Sequence, residues 1–284
     1  MDRTRLEYAA NALLSSGRVV FSLAIIGFGI ETLVCAHRTI YLYPLASNPR
    51  FKVVPVLPFL PPIPLLAYLF GIILAVCGFG LLSRRALRAS SLIVGRLMLA
   101  GAAGLNAPRY AAIPGSIGLR TLVFEPLAIA ALAWLLPGRN AVPNLLERAS
   151  RYLLALSLIV FGVDHFLALA PIAALIPHWI PWHIFWVAFF GAGFIAAALS
   201  VALNVLLRWS AACLGLMFAI WVFTLHLPTV LGLYVIPGRS NFASLWSSLL
   251  IAVALWGGSW ALAHQSSSAA HLPLNTQDQS AWKI

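Results

Sequence analysis

Residues Arg151 to Ala170 read RYLLALSLIVFGVDHFLALA. One basic residue opens the run, and only Ser157, Asp164 and His165 interrupt its apolar character. The stretch is about as long as the 20 residues a helix needs to cross a hydrocarbon core. It lacks the alternation of apolar and polar positions that marks a barrel strand. A helix also satisfies its backbone groups internally, the condition for crossing lipid. The run therefore reads as a transmembrane helix.

The same pattern repeats along the chain. Apolar runs cover Val19–Ala36, Pro62–Leu82, Ala89–Leu105 and Thr121–Leu136, then Tyr152–Ala170, Trp182–Leu203, Ser210–Leu225 and Leu245–Ala263. Composition agrees: of 284 residues, 62% are hydrophobic and 9% charged, and the mean hydropathy is +0.94. A soluble domain must cover its surface with polar groups, which this chain lacks. The reading is an all-α polytopic integral membrane protein of about eight transmembrane helices.

The formal charge of +11 does not indicate nucleic-acid binding, since no basic stripe carries interleaved stacking aromatics. The basic residues stand at the ends of apolar runs and report topology. Arg3, Arg5, Arg18, Arg84, Arg85, Arg88, Arg139, Arg148, Arg151, Arg208 and Lys283 fall on one side, outnumbering Arg38, Arg50, Lys52, Arg109, Arg120 and Arg239 on the other. The excess predicts both termini in the cytoplasm. An amphipathic stretch precedes the first run without a small-residue cleavage site, so an uncleaved first helix is expected. Cys35, Cys77 and Cys213 lie in apolar runs and form no C-x-x-C pair, which reads as packing, not as a redox dithiol.

Landmarks recur in the same order in both halves. Arg18 before Phe28-Gly29-Ile30-Glu31 matches Arg151 before Phe161-Gly162-Val163-Asp164. Leu57-Pro58 with Pro61 matches Ile176-Pro177 with Pro181, and Gly71 matches Gly191. Leu87-Arg88 matches Leu207-Arg208, Asn106-Ala107-Pro108 matches His226-Leu227-Pro228, and Ile113-Pro114-Gly115 matches Ile236-Pro237-Gly238. The spacing differs mainly by an insertion from Ile40 to about Phe51. The expected organisation is a first four-helix repeat over 1–137, a connecting loop over 138–150, a second repeat over 151–264, and a mobile polar tail over 265–284. An even number of spans per copy makes the repeats parallel, related by an axis along the membrane normal.

This unit resembles the DoxX-like family of four-helix membrane proteins. The resemblance rests on Arg151, Phe161-Gly162-Val163-Asp164-His165-Phe166, the turn Ile176-Pro177-His178-Trp179-Ile180-Pro181, Gly191 and Leu207-Arg208. The first half departs from it: Glu31 stands for the Asp and Thr32 for the His. The resemblance implies a bacterial inner-membrane protein; some relatives belong to membrane redox systems, with a membrane redox partner protein and quinone-linked chemistry, while most have no established activity.

Charge inside a membrane is costly, so ionisable residues there are site candidates. Glu31 and Asp164 each lie 13 residues beyond the flanking Arg, about 20 Å along a helix at roughly 1.5 Å per residue. Asp164, His165, His178, His183 and His226 are thus expected near one outward-facing cavity, with Trp179 and Trp182 as stacking platforms. Three readings stay open. Asp164 pairs locally and pins the bundle; or carboxylate and imidazole relay protons to a quinone or other small molecule; or Asp and His hold a metal, for which no compact H-x-x-H or H-x-x-x-H motif exists. Arg96 and Glu125, on adjacent spans, are expected to form an intramembrane ion pair, with an anion-binding role for Arg96 as the alternative. Trp134 is the one tryptophan of ten before the midpoint; Trp179, Trp182, Trp209 and Trp246 stand near span ends, as interfacial anchors do. No phosphate-binding loop, dinucleotide fingerprint, H-E-x-x-H or nucleophile elbow is present. Function remains divided among a redox-supporting or quinone-binding subunit, a non-enzymatic scaffold or assembly factor, and a small-solute transporter.

Overall fold

A computed structural model describes residues 3–35, 64–138, 144–233 and 242–269. The first-loop insertion, Leu57-Pro58 with Pro61, Ile236-Pro237-Gly238 and the tail after Ala269 lie outside the described residues. The elements are α1 (Arg3–Ser15), α2 (Gly17–Cys35), α3 (Pro64–Leu82), α4 (Leu87–Gly101), α5 (Ala107–Ala112), α6 (Ile117–Leu135) and α7 (Asn144–Leu167). They continue as α8 (Leu169–Ala173), α9 (His183–Leu203), α10 (Leu207–Trp221), α11 (Leu227–Val230) and α12 (Phe242–Ala269). No strand occurs among the described residues.

The protein is an all-α, multi-pass membrane protein. Seven helical segments among the described residues are long and apolar enough to cross a bilayer. The apolar stretch Ala67–Leu82 of α3 is shorter, and with it the described residues hold eight apolar helical segments, in keeping with the expected number of about eight. The outward faces are apolar: Ile72, Val76 and Phe79 of α3 are 49%, 64% and 63% exposed. In water such a surface would drive association, whereas in lipid it is the solvent-facing side.

Several boundaries lie beyond the apolar runs. Helix α7 starts at Asn144, inside the expected connecting loop, and α12 continues to Ala269, into the expected tail. Polar residues at a helix end project into the headgroup region and need not end the backbone ladder. The third and seventh spans are also longer than their apolar cores. Each contains a π-helical turn, Ala102–Asn106 after α4 and Val222–His226 after α10. Both turns are followed within two residues by a proline, Pro108 and Pro228. A proline ring clashes with the carbonyl four residues earlier, and a widened turn moves that carbonyl aside.

Glycine decides the closest helix approaches. A methyl group on Gly29 would lie 2.7 Å from the Gly71 carbonyl oxygen, and one on Gly162 would lie 2.8 Å from that of Gly191. On Gly257 it would lie 2.8 Å from the Gly17 carbonyl oxygen. These backbones touch because no side chain intervenes, the usual basis of tight packing between helices in lipid. Gly95 faces the Trp134 indole and Gly215 faces that of Trp260, the same contact in each half.

The helices form a closed ring in the order α2, α3, α4, α6, α7, α9, α10, α12 and back to α2, pinched where α6 touches α12. Thus α2 closes on α12, and α7 closes on α6. Neither half forms a separate four-helix bundle, because the last helix of each packs against the first helix of the other. One continuous core runs through both, from Phe21 and Met98 to Leu158 and Leu214. The C-terminal end of α6 is tied into it by Gln265 Nε2, which donates to the Leu136 carbonyl at 2.6 Å.

Candidate functional site

Asp164 sits three residues before the end of α7 and is 3% exposed. It faces the first turns of α6, which begins after Gly115 takes a left-handed conformation, φ +93°, and Ser116 caps the helix by accepting from the Leu119 amide. Arg120 Nη2 forms a salt bridge with Asp164 Oδ1. Thr121 Oγ1 donates to Oδ2 at 3.0 Å and shares its proton with the Ile117 carbonyl, also at 3.0 Å. Both carboxylate oxygens are therefore satisfied by one short segment of α6. The side chain of Arg120 is 23% exposed and that of Asp164 5%. The acid is thus the deeper member, while Arg120 reaches it from the helix end. Arg120 Nε is buried without a hydrogen-bond partner among the described residues.

His165 does not join Asp164. Consecutive helix positions diverge by about 100°, so Asp164 turns to α6 and His165 turns to α9. The His165 Nδ1 lies 2.7 Å from the Phe161 carbonyl oxygen, and the ring meets the edge of Phe194 at 5.1 Å between centroids. Glu31 occupies the corresponding place on α2, 7% exposed. Its partner comes from α12: Ser247 Oγ donates to Oε1 at 2.8 Å. Each acid is therefore met by the last helix of the other half.

The remaining candidates gather elsewhere. His178, Ile180, Pro181, Trp182, His183, Ile184 and Phe185 line an open groove of about 780 Å³ where the chain enters α9. The His178 and His183 rings are 6.4 Å apart. Trp182 precedes α9 in the left-handed region, φ 58° and ψ 50°, an unusual conformation for a bulky residue. It leaves the indole 76% exposed, beside Trp179 at 72%. Trp186 anchors the turn by donating from Nε1 to the Pro181 carbonyl at 3.0 Å. His226 ends the second π turn and is half-buried. The expected single cavity thus separates: Asp164 belongs to a buried charge pair, His178 and His183 line a superficial aromatic groove, and His165 and His226 stand apart from both.

Arg96 is exposed on α4, on the side away from the buried Val94, Gly95 and Met98. On α4 it is Gly95, not Arg96, that packs on the Trp134 indole of α6, and Glu125 is half-buried. A polar link from the π turn after α4 to α6 is made by Asn106, whose Nδ2 donates to the Leu122 carbonyl at 2.8 Å. Pro126 lies four residues after Leu122 and cannot supply the usual amide. Asn106 thus satisfies a carbonyl that would otherwise be bare in the membrane.

Sequence reasoning placed Arg120 among the loop charges and missed its pairing. The available signal was chemical: a buried acid requires a cation or donors, and Arg120-Thr121 opens an apolar run. No group of three or more His, Cys, Asp or Glu residues suited to a metal ion occurs among the described residues. Cys77 and Cys213 are free thiols, the first buried and the second exposed. No family model, curated protein or solved structure matches this chain.

Proposed function

We propose that the protein is a DoxX-like protein of the bacterial inner membrane, with both termini cytoplasmic, that binds an amphipathic small molecule of the quinone class and serves a membrane redox partner. The observation that carries this reading is the groove at the start of α9. Its volume, about 780 Å³, falls within the roughly 300–1,000 Å³ of small-molecule sites. A flat ring stacks on Trp182 or Phe185, and its carbonyls take hydrogen bonds from His178 and His183. Imidazole also exchanges protons near neutral pH, as quinone reduction requires. Asp164 is not part of this pocket; its oxygens are occupied by Arg120 and Thr121, which favours the pinning role for that residue.

The tandem-copy reading draws support from recurring contacts. Gly29 on Gly71 parallels Gly162 on Gly191, Gly95 on Trp134 parallels Gly215 on Trp260, and each half places a π turn before a proline. Two exchanged last helices are what fusion of a dimer of a four-helix ancestor produces.

The test is quinone binding to the purified protein in lipid nanodiscs, followed by quenching of tryptophan fluorescence. Saturable quenching that weakens about tenfold in His183→Ala, the loss of about 1.4 kcal/mol, supports the reading. Quenching that is linear in quinone and unchanged in His183→Ala and Trp182→Ala refutes it. Orientation is tested by single cysteines replacing Arg84 and His178, which must label from opposite sides of the membrane.

A further inference from the structure

The two acids at corresponding places on α2 and α7 have opposite electrostatic surroundings. Asp164 has a guanidinium and a hydroxyl. Glu31 has one hydroxyl, from Ser247, on Oε1, while Oε2 is buried with no hydrogen-bond partner among the described residues. The helices packed against α2 bring no cation to it. From end to end, α3 and α12 contain no Asp, Glu, Lys or Arg. Their titratable side chains are Tyr68, which is exposed, Cys77 and His264. His264 lies 17 residues beyond Ser247, about 25 Å along α12 at roughly 1.5 Å per residue. On α2 itself the other charge is Arg18, at the opposite end. Arg3, Arg5 and Glu7 belong to α1, which also touches α2 but precedes Gly17 at that same opposite end. With Ser247 its hydrogen-bond donor and no cation beside it among the described residues, an ionised Glu31 would be a poorly compensated charge in a low-dielectric interior, whereas the neutral acid leaves a single hydrogen bond unmade.

We propose that Glu31 is a proton-binding site within the membrane, a carboxylic acid that keeps its proton while buried and exchanges it when water or a cation reaches Oε2. The proposal does not depend on the groove at α9. It makes the two halves chemically distinct, one carrying a fixed charge pair and the other an exchangeable proton.

The probe is dicyclohexylcarbodiimide, applied to the full-length protein in lipid nanodiscs. The acid O–H adds across one C=N bond to give an O-acylisourea, which rearranges to the N-acylurea. Nothing leaves, so the peptide carrying Glu31 gains the whole reagent mass. The expected result is modification of Glu31 that slows as pH rises and disappears in Glu31→Gln, with Asp164 unmodified because Arg120 and Thr121 occupy both its oxygens. Where the reagent does not reach the site, infrared spectroscopy reads the same state. A protonated-carboxyl C=O band that shifts in D2O, is lost in Glu31→Gln and persists in Asp164→Asn supports the proposal. Absence of both label and band overturns it, and so does equal labelling of Glu31 and Asp164.

Discussion

Substituting Arg120 by Leu removes the charge partner of a carboxylate that stays buried. Removing one member of a buried pair costs about 3–5 kcal/mol, because the other charge is left uncompensated. The two members are not equivalent here. Asp164 has 5% of its side chain exposed and cannot reach water, whereas Arg120 has 23% and a long stem that can carry its head toward the headgroups. Thr121 still donates to Oδ2 in the variant, which retains part of a charged hydrogen bond worth about 1.5–3 kcal/mol. Arg120→Leu is therefore expected to cost about 3 kcal/mol, more than a hundredfold in the folding equilibrium at about 1.4 kcal/mol per decade. Asp164→Leu, which strands the more mobile partner, is expected to cost about 1–2 kcal/mol. The double variant replaces the pair by apolar groups and should lie within about 1 kcal/mol of the parent. The assay is reversible unfolding in mixed micelles of increasing SDS fraction, followed by circular dichroism and read as a double-mutant cycle. Equal single-variant costs, or a double variant as unstable as the sum of the singles, would falsify the asymmetric buried pair.

Three further outcomes follow from the packing. Gly257→Leu places a side chain into the Gly17 and Phe21 backbones and is expected to abolish the monodisperse folded peak in gel filtration; Gly104→Ala, with open space around it, should change stability by less than about 0.5 kcal/mol. Asn106→Leu strips the Leu122 carbonyl of its donor and should cost about 1–3 kcal/mol by the same SDS titration. Adding Pro126→Ala, which restores an amide at that place, should recover most of this loss, and no recovery would break the argument. Arg151 donates from Nε and Nη2 to the Val201 carbonyl at 3.2 and 3.0 Å, so Arg151→Met should speed amide hydrogen exchange in the last turn of α9 while the exchange of α3 is unchanged.

The number and position of the crossings were legible in the sequence because transfer to lipid is a local property. Each run of about 20 apolar residues satisfies its own backbone as a helix wherever the other runs go. The same locality made Gly29, Gly71, Gly162 and Gly191 recognisable as repeating landmarks, and made Glu31 and Asp164 stand out as charges in costly places. The extended ends of α7 and α12 were not legible, because polar residues outside the hydrocarbon neither favour nor forbid another helical turn.

Pairing was decided by the tertiary structure alone. Nothing local in Asp164 shows that α7 lies against α6, so that Arg120 and Thr121 receive it, or that α2 lies against α12, so that Glu31 meets Ser247 and, among the described residues, no cation. A helix turns about 100° per residue, and the adjacent Asp164 and His165 therefore belong to different interfaces. Arg96, one position beyond Gly95, faces away from α6 for the same reason. Apolar runs specify that helices form and cross. Which faces meet depends on how small residues, indoles and buried polar groups fit together across the whole ring, a property of no single segment.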